Sequence, residues 1–396
     1  MRDGLAMQAR SQPAVPFGCP TQERLSRRHF LASCAAGAAT LWVGGTLARR
    51  VLAATKRTNL KEAMYWRSLP GGKTQCLLCP NQCVRGPGED GLCHARGNRN
   101  GRYYSLVYGI PCVIALDEVE KCPLNHFQVQ GKAFSLATAG CNLTCKYCQN
   151  WQFSQVGPDE VPRAYDLSPE AAVAKAIEQR AGAIAYFYTE PVVYYEYMLA
   201  TAMLARRRNL KNVMVTAGYI SPEPFKNVLP YIDAVAFGLK GWNEKFYQEY
   251  IGCELKYIKE SMQLLAQMPE VWWEVVVLIV PSLNDRMDEI AAMAKWLRDV
   301  AGPERPLHFT RFRPEYRLKT LPMTPAATLT RAREVAIQQG LKYVYVGNLP
   351  GHEGGNTYCP QCGKVVLERV LFTVVKKHMS FGNCIACGYK IAGVWQ

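Results

Sequence analysis

Between about residues 133 and 346 the chain alternates short runs rich in β-branched and aromatic residues with longer segments whose apolar positions recur every three or four residues. The runs at 134–138, 184–189, 213–217, 234–238, 272–279, 307–312 and 343–346 read as strands, and the segments between them as amphipathic helices. Ser168-Pro169-Glu170 and Thr324-Pro325 read as N-caps followed by a first-turn proline, and Gly340 closes the helix before the last run. Strand, helix, strand at this interval means parallel βαβ units. The fold class expected is therefore α/β: a partial or complete (β/α) barrel with small Cys-rich modules at both ends. In such a fold the loops that follow the strands gather at one end and build the site.

The loop after the first run is Ala139-Gly140-Cys141-Asn142-Leu143-Thr144-Cys145-Lys146-Tyr147-Cys148-Gln149-Asn150-Trp151, with cysteines spaced C-x3-C-x2-C. Three thiolates on one short loop hold three irons of a cubane and leave the fourth iron open to a ligand. A zinc knuckle would want a fourth ligand nearby, and a disulfide would leave one cysteine over. A second set, Cys76, Cys79, Cys83 and Cys93, sits among the turn residues Pro80, Gly86, Pro87, Gly88 and Gly91. Four thiolates suit zinc or an auxiliary iron–sulfur cluster, and spacing does not choose between them. A third set, Cys359 and Cys362 with Cys384 and Cys387, forms two C-x2-C-G knuckles joined by a β-rich linker. This reads as a zinc ribbon or a rubredoxin-like iron site, with zinc favoured and the role structural. Eleven of the sixteen cysteines fall in these sets, so metal accounts for them better than disulfides, and assembly belongs in a reducing compartment.

The formal charge of +15 is concentrated at the start, where residues 1–57 hold nine Lys/Arg against two acids. Elsewhere the basic residues are dispersed on helix faces, and no nucleic-acid surface is required. Residues 1–25 are polar and aperiodic. Ser26-Arg27-Arg28-His29-Phe30-Leu31 then opens a stretch, residues 30–48, with no acid, Lys or Arg, ending at Arg49-Arg50. This resembles a twin-arginine export signal, which implies the twin-arginine translocase as a partner and a periplasmic or membrane-associated location, cytoplasmic if the signal is not used. The organisation expected is a targeting tail at 1–57, a four-cysteine module at 58–130, the barrel at 131–350 and the ribbon-like module at 351–396.

The cysteine loop, with Tyr147 just before its third cysteine, resembles the signature of the radical S-adenosylmethionine (SAM) enzymes. The order of Leu78-Cys79-Pro80, Glu120-Lys121-Cys122-Pro123-Leu124-Asn125-His126-Phe127, Thr138-Ala139-Gly140-Cys141, Tyr188-Thr189-Glu190-Pro191, Pro281-Ser282-Leu283-Asn284-Asp285, Leu307-His308-Phe309-Thr310-Arg311-Phe312 and Gly347-Asn348-Leu349-Pro350-Gly351-His352 narrows it. Over about residues 60–396 the chain resembles the radical SAM member of the AmmeMemoRadiSam system, a family similar to pyruvate formate-lyase activating enzyme.

The resemblance implies a [4Fe–4S] cluster on Cys141, Cys145 and Cys148, SAM on its open iron, and a low-potential electron donor. A 5′-deoxyadenosyl radical would then take hydrogen from a partner protein's glycyl residue or from a small molecule handled with the system's proteins. It also implies that Glu190 accepts hydrogen bonds from the SAM ammonium, a role compatible with an acid at a helix N-terminus. Tyr147 would pack against adenine or simply fill the core. Lys240 matches the lysine of the family's Asp-Leu-Lys, but Gly238 stands in the aspartate's place, and Ala217 stands where an asparagine is usual. His308, Arg311 and Arg313 would meet an anionic substrate or the SAM carboxylate, or else face the helices. The rival expectation is an exported electron-transfer or metal-handling protein that keeps the barrel without SAM chemistry.

Overall fold

The computed structural model describes residues 60–128 and 130–395. The export signal expected at 26–50 lies outside them. Eight strands build the main sheet: β1 (Val113–Glu118), β2 (Lys132–Ala137), β3 (Ala183–Tyr186), β4 (Lys211–Thr216), β5 (Ala234–Gly238), β6 (Trp272–Ile279), β7 (Leu307–Arg311) and β8 (Val344–Gly347). They pair in strict chain order. β2 to β8 are parallel, and β1 adds to β2 antiparallel. All seven expected runs are strands, two (234–238 and 272–279) with the expected ends and the others with ends moved by about one to three residues. β1 falls within the segment expected to belong to the four-cysteine module. The ladder stays open between β8 and β1, so no closed barrel forms among the described residues.

Chain-order pairing through right-handed crossovers sends every connecting helix to the same face of the sheet. The helices are α1 (Pro169–Glu178), α2 (Tyr195–Arg207), α3 (Pro222–Val228), α4 (Leu255–Ala266), α5 (Met287–Ala301) and α6 (Ala326–Gln338). Ser168 caps α1 as expected, its Oγ accepting from Ala171 N at 3.2 Å. Thr324 does not cap α6, which starts two residues later behind Pro325. Its hydroxyl accepts from Phe312 N and donates to Ile279 O, tying the ends of β6 and β7 together. Ile258, Met262 and Leu265 on α4, and Ile290, Met293 and Leu297 on α5, bury the faces their spacing predicts against Phe237, Val275 and Phe309. Each such side chain contributes roughly 1.5–3 kcal/mol over an exposed one.

The opposite sheet face is built from small side chains. Period-two alternation in Ala183-Ile184-Ala185 and Ala234-Val235-Ala236 sends the large residues to the helices and the alanines inward. Residues 119–127 cross this inner face, with Val119, Cys122, Leu124 and Phe127 packed on it. The small inner residues leave a chamber between sheet and covering segment.

The N-terminal module has two three-stranded sheets, Trp66–Ser68 with Thr74–Cys76 and Val84–Arg85, and Lys61–Glu62 with Arg96–Arg99 and Arg102–Ser105. Arg96, 1% exposed, fastens it to α2 through two bonds to the Glu196 carboxylate at 2.8 and 2.9 Å. The C-terminal module pairs Thr357–Tyr358, Val365–Val370 and Thr373–Lys377, followed by a two-stranded ladder of Met379–Ser380 and Asn383–Cys384. The Arg369 guanidinium docks it by donating to Asn125 O at 2.8 Å. Residues 60–395 belong to one compact unit. Among the described residues no helix is long and apolar enough to cross a membrane.

Candidate functional site

The cysteine loop leaves the C-terminal end of β2 at Gly140, whose φ of +93° is strained for any other residue. A Cβ here would come 2.3 Å from Cys93 O, so glycine is also required by the close approach of the N-terminal module. Beside it, Cys141 N donates to the same carbonyl at 3.2 Å. Thr144 N and Lys146 N donate to Ile251 O and Tyr250 O at 2.8 and 2.9 Å, and Asn142 Nδ2 donates to Tyr219 O at 2.7 Å. The loop is thus braced before any metal arrives. Leu143 N reaches Cys141 Sγ at 3.4 Å, and the Ser154 hydroxyl lies 3.2 Å from Cys148 Sγ.

Cys141 and Cys145 show some surface yet are packed round by protein. That loss of solvation pushes the Cys141 thiol well above its ordinary pKa, and the Cys145 thiol up to about 12 against the opposing charge of Lys240. Such thiols stay protonated at neutral pH unless a metal displaces the proton, and a three-thiolate loop on a preformed frame fits a cubane with one open iron.

The chamber on the inner sheet face, about 420 Å³, opens beside this loop at Gln149 and Asn150. Gly238, Lys240, His308 and Thr310 reach it from the strand ends, and Glu120 and Arg369 from the covering segment and the C-terminal module. Lys240 is fixed from its backbone, N–H to the Tyr247 hydroxyl at 2.9 Å and carbonyl to Asn284 Nδ2 at 2.7 Å. A Cβ on Gly238 would stand 2.9 Å from Lys240 Nζ.

Glu190 is nearly buried. Its carboxylate accepts from Thr216 Oγ1 and Ala217 N at 2.5 and 2.8 Å, and from Val192 N at 3.4 Å as the cap of the helical turn Pro191–Tyr194. Burial raises its pKa despite these bonds and the nearby charge of Lys240. The Tyr147 ring lies in the core, nearly parallel to Phe246 with centroids 6.3 Å apart, and is not part of the chamber wall. The expectation for Arg311 is corrected by parity: His308 and Thr310 face the chamber, whereas Arg311 is on the opposite side of β7, with Nε donating to Thr324 O at 2.8 Å. Arg313 is exposed.

Several residues in or behind the chamber wall escaped the sequence reading. Glu274, an acid in the middle of the apolar β6 run, is fully buried and accepts from His308 Nε2 at 2.7 Å, Trp272 Nε1 at 3.0 Å, His126 N at 2.7 Å and Asn125 N at 3.0 Å. It sets the orientation of His308 and pins the covering segment. The one sequence signal was an acid where a strand interior should be apolar. Tyr188, at a left-handed φ of +68°, donates to Asp117 at 2.7 Å, and Lys121 pairs with the same carboxylate at 2.6 Å. Glu120 Oε2 and Arg369 Nε are buried without a partner, and both residues line the chamber. Arg369, Leu371 and Phe372 come from the C-terminal module, which therefore walls the chamber as well as stabilising the fold.

In that module the sulfurs of Cys359, Cys362, Cys384 and Cys387 all lie within 4.8 Å of one another, with Cys359 to Cys387 at 3.5 Å and Cys362 to Cys384 at 3.8 Å. Each knuckle closes on a left-handed glycine, Gly363 N to Cys359 O and Gly388 N to Cys384 O, at 2.9 and 2.8 Å. Tetrahedral Zn–S bonds of about 2.3 Å place sulfurs roughly 3.8 Å apart, so a single tetrahedral ion fits.

A family model described as the Radical SAM superfamily matches residues 135–297. "Uncharacterized protein MJ0808" of Methanocaldococcus jannaschii is 44% identical over 334 residues, covering 84% of this chain and 99% of that protein. "Isethionate sulfite-lyase activating enzyme" of Nitratidesulfovibrio vulgaris is 29% identical over 112 residues, 28% of this chain and 36% of that protein. The crystal structure of a domain of pyruvate-formate lyase-activating enzyme from Bacteroides vulgatus aligns with a TM-score of 0.38 and 12% identity, over 42% of this chain and all of that domain.

Proposed function

The chain belongs to the radical SAM superfamily, and on that premise we propose that it is an oxidoreductase that cleaves SAM reductively and uses the radical to take hydrogen from a small polar substrate. The carrying observation is the braced loop of Cys141, Cys145 and Cys148, followed directly by Gln149 and Asn150 in the wall of the chamber on the inner sheet face. Cys141, Cys145 and Cys148 would hold a [4Fe–4S] cluster, which would supply the single electron for reductive cleavage of SAM to methionine and a 5′-deoxyadenosyl radical.

This chain's residues bind, orient and exclude water. Lys240 sets a cation beside the loop, and the Glu190 carboxylate, held by Thr216 and Ala217, retains lone pairs for an ammonium. The second polar group of the chamber, His308 held by Glu274 with Glu120 and Arg369 across from it, suits a substrate bearing both charged and polar groups. That the C-terminal module covers part of the chamber supports a small molecule over a glycyl residue of a folded partner. Electrons come from a low-potential donor.

The test is 5′-deoxyadenosine release from SAM by anaerobically reconstituted protein with a strong reductant. Wild type releases it and Cys145→Ala does not. A cluster-loaded wild type that releases none overturns the reading and leaves an electron-transfer or metal-handling role, with Gly238 and Ala217 as the altered positions.

A further inference from the structure

We propose that Cys76, Cys79, Cys83 and Cys93 hold a second [4Fe–4S] cluster, which passes single electrons to the cluster on the Cys141 loop. The proposal rests on the radical SAM reading for the acceptor but not for the site itself.

The two four-cysteine sets in this molecule differ in geometry. The C-terminal sulfurs converge on one ion's dimensions, and among the described residues only that set brings its sulfurs to within 4.8 Å of one another. The N-terminal cysteines instead stand further apart around a small common cavity of about 20 Å³. A cubane spaces its thiolates well apart on four different irons, whereas a single zinc ion draws them together.

The cavity wall is apolar, with Leu78, Tyr103, Val192 and Val193 completing it. Two polar groups lack partners there: Asn142 Oδ1, and Arg96, which is 1% exposed and whose Nε has no hydrogen-bond acceptor even though its other nitrogens are taken by Glu196 and Met64 O. An orphan donor on a buried cation is costly unless an anionic group sits opposite, and a cubane with four thiolates carries net negative charge.

Position gives the function. Cys93 O accepts from Cys141 N at 3.2 Å, and Asn81 Nδ2 donates to Asn142 O at 3.1 Å, so ligand residues of the two sites touch through their backbones. Gly140 holds its left-handed backbone at this contact. Cys83 is half-exposed and marks the side on which an external donor can approach. One electron enters from a reduced ferredoxin- or flavodoxin-type protein, resides on the second cluster, and leaves for the first. No other bond changes.

The full chain is reconstituted anaerobically with iron and sulfide in the presence of zinc, as wild type and as the Cys141→Ala/Cys145→Ala/Cys148→Ala variant. The expected result is about eight irons and sulfides per wild-type chain and about four in the variant. The reduced variant shows a [4Fe–4S]⁺ electron paramagnetic resonance signal that SAM does not alter. A variant with zinc and no sulfide, or a wild type with about four irons, all in a SAM-sensitive signal, overturns the second cluster. A wild type lacking any SAM-sensitive signal while the variant keeps its cluster sinks the radical reading and leaves this one standing. For the relay, Cys79→Ala/Cys83→Ala slows 5′-deoxyadenosine formation about tenfold or more with reduced flavodoxin while dithionite-driven formation persists. Equal rates with flavodoxin overturn it.

Discussion

Replacing Glu274 by Gln should cost stability in a way that reports its charge as well as its contacts. The carboxylate receives four donors, from Asn125 N, His126 N, Trp272 Nε1 and His308 Nε2, and is 0% exposed. A carboxamide offers an acceptor to one side and turns an NH₂ toward the other, leaving about two buried donors opposed at roughly 1–3 kcal/mol each. The expected loss at pH 7 is therefore about 2–5 kcal/mol. Burial alone would raise the pKa of Glu274, but the bond from His308, the charges of His308 and His126 and the Trp272 bond outweigh it and hold the group down at about 2. A carboxyl depressed in the folded state stabilises fully above its unfolded value near 4.5 and loses that contribution as pH falls toward 2. From these values the wild type gives up about 1 kcal/mol by pH 4 and about 2 kcal/mol by pH 3, and the variant gives up none of it. His126, kept neutral by burial down to about 4, loses stability from 6.5 downward; the Glu274 charge raises that pKa, so this loss is no smaller in the variant and offsets part of the narrowing. Denaturant unfolding of both proteins at pH 7, 4 and 3 measures this. A variant within about 1 kcal/mol of wild type at pH 7, or a gap that does not narrow on acidification, refutes the reasoning.

Gly140→Ala should lose at least about 2 kcal/mol, from the left-handed backbone and the 2.3 Å approach to Cys93 O, and should lower iron content; normal iron and unchanged thermal unfolding would count against that contact. Gly238→Asp places a carboxylate beside Lys240 Nζ, and the new pair should change SAM affinity by about two- to fivefold, read by equilibrium binding; no change would show that the missing carboxylate is immaterial. Arg27→Lys/Arg28→Lys should retain the protein in the cytoplasm on cell fractionation, and an unchanged distribution would remove the export proposal.

Local pattern was enough to specify the parallel strands and their order of helices, because period-two and period-3.6 burial is written residue by residue in 134–138, 234–238 or 287–301. The cysteine loops were legible for a similar reason: thiols a few residues apart on one turn are close whatever the rest of the chain does. Thr324 and Arg311 went otherwise, since a capping site or a facing direction shifts with one residue of register, and register is set by pairing with β6 and β8.

The chemistry of the chamber depends on contacts across long sequence separations. Glu274 meets Asn125, His126 and His308, and Arg369 meets Asn125, each pair assembled by the fold rather than by neighbours in the chain. The sequence alone determined which ligands this protein presents and that they ride on a parallel α/β frame. Only tertiary structure decided that the sheet stays open, that the C-terminal module walls the chamber, and that the first two cysteine sites abut. Those outcomes are set by which surfaces pack together, and packing is a property of the whole chain.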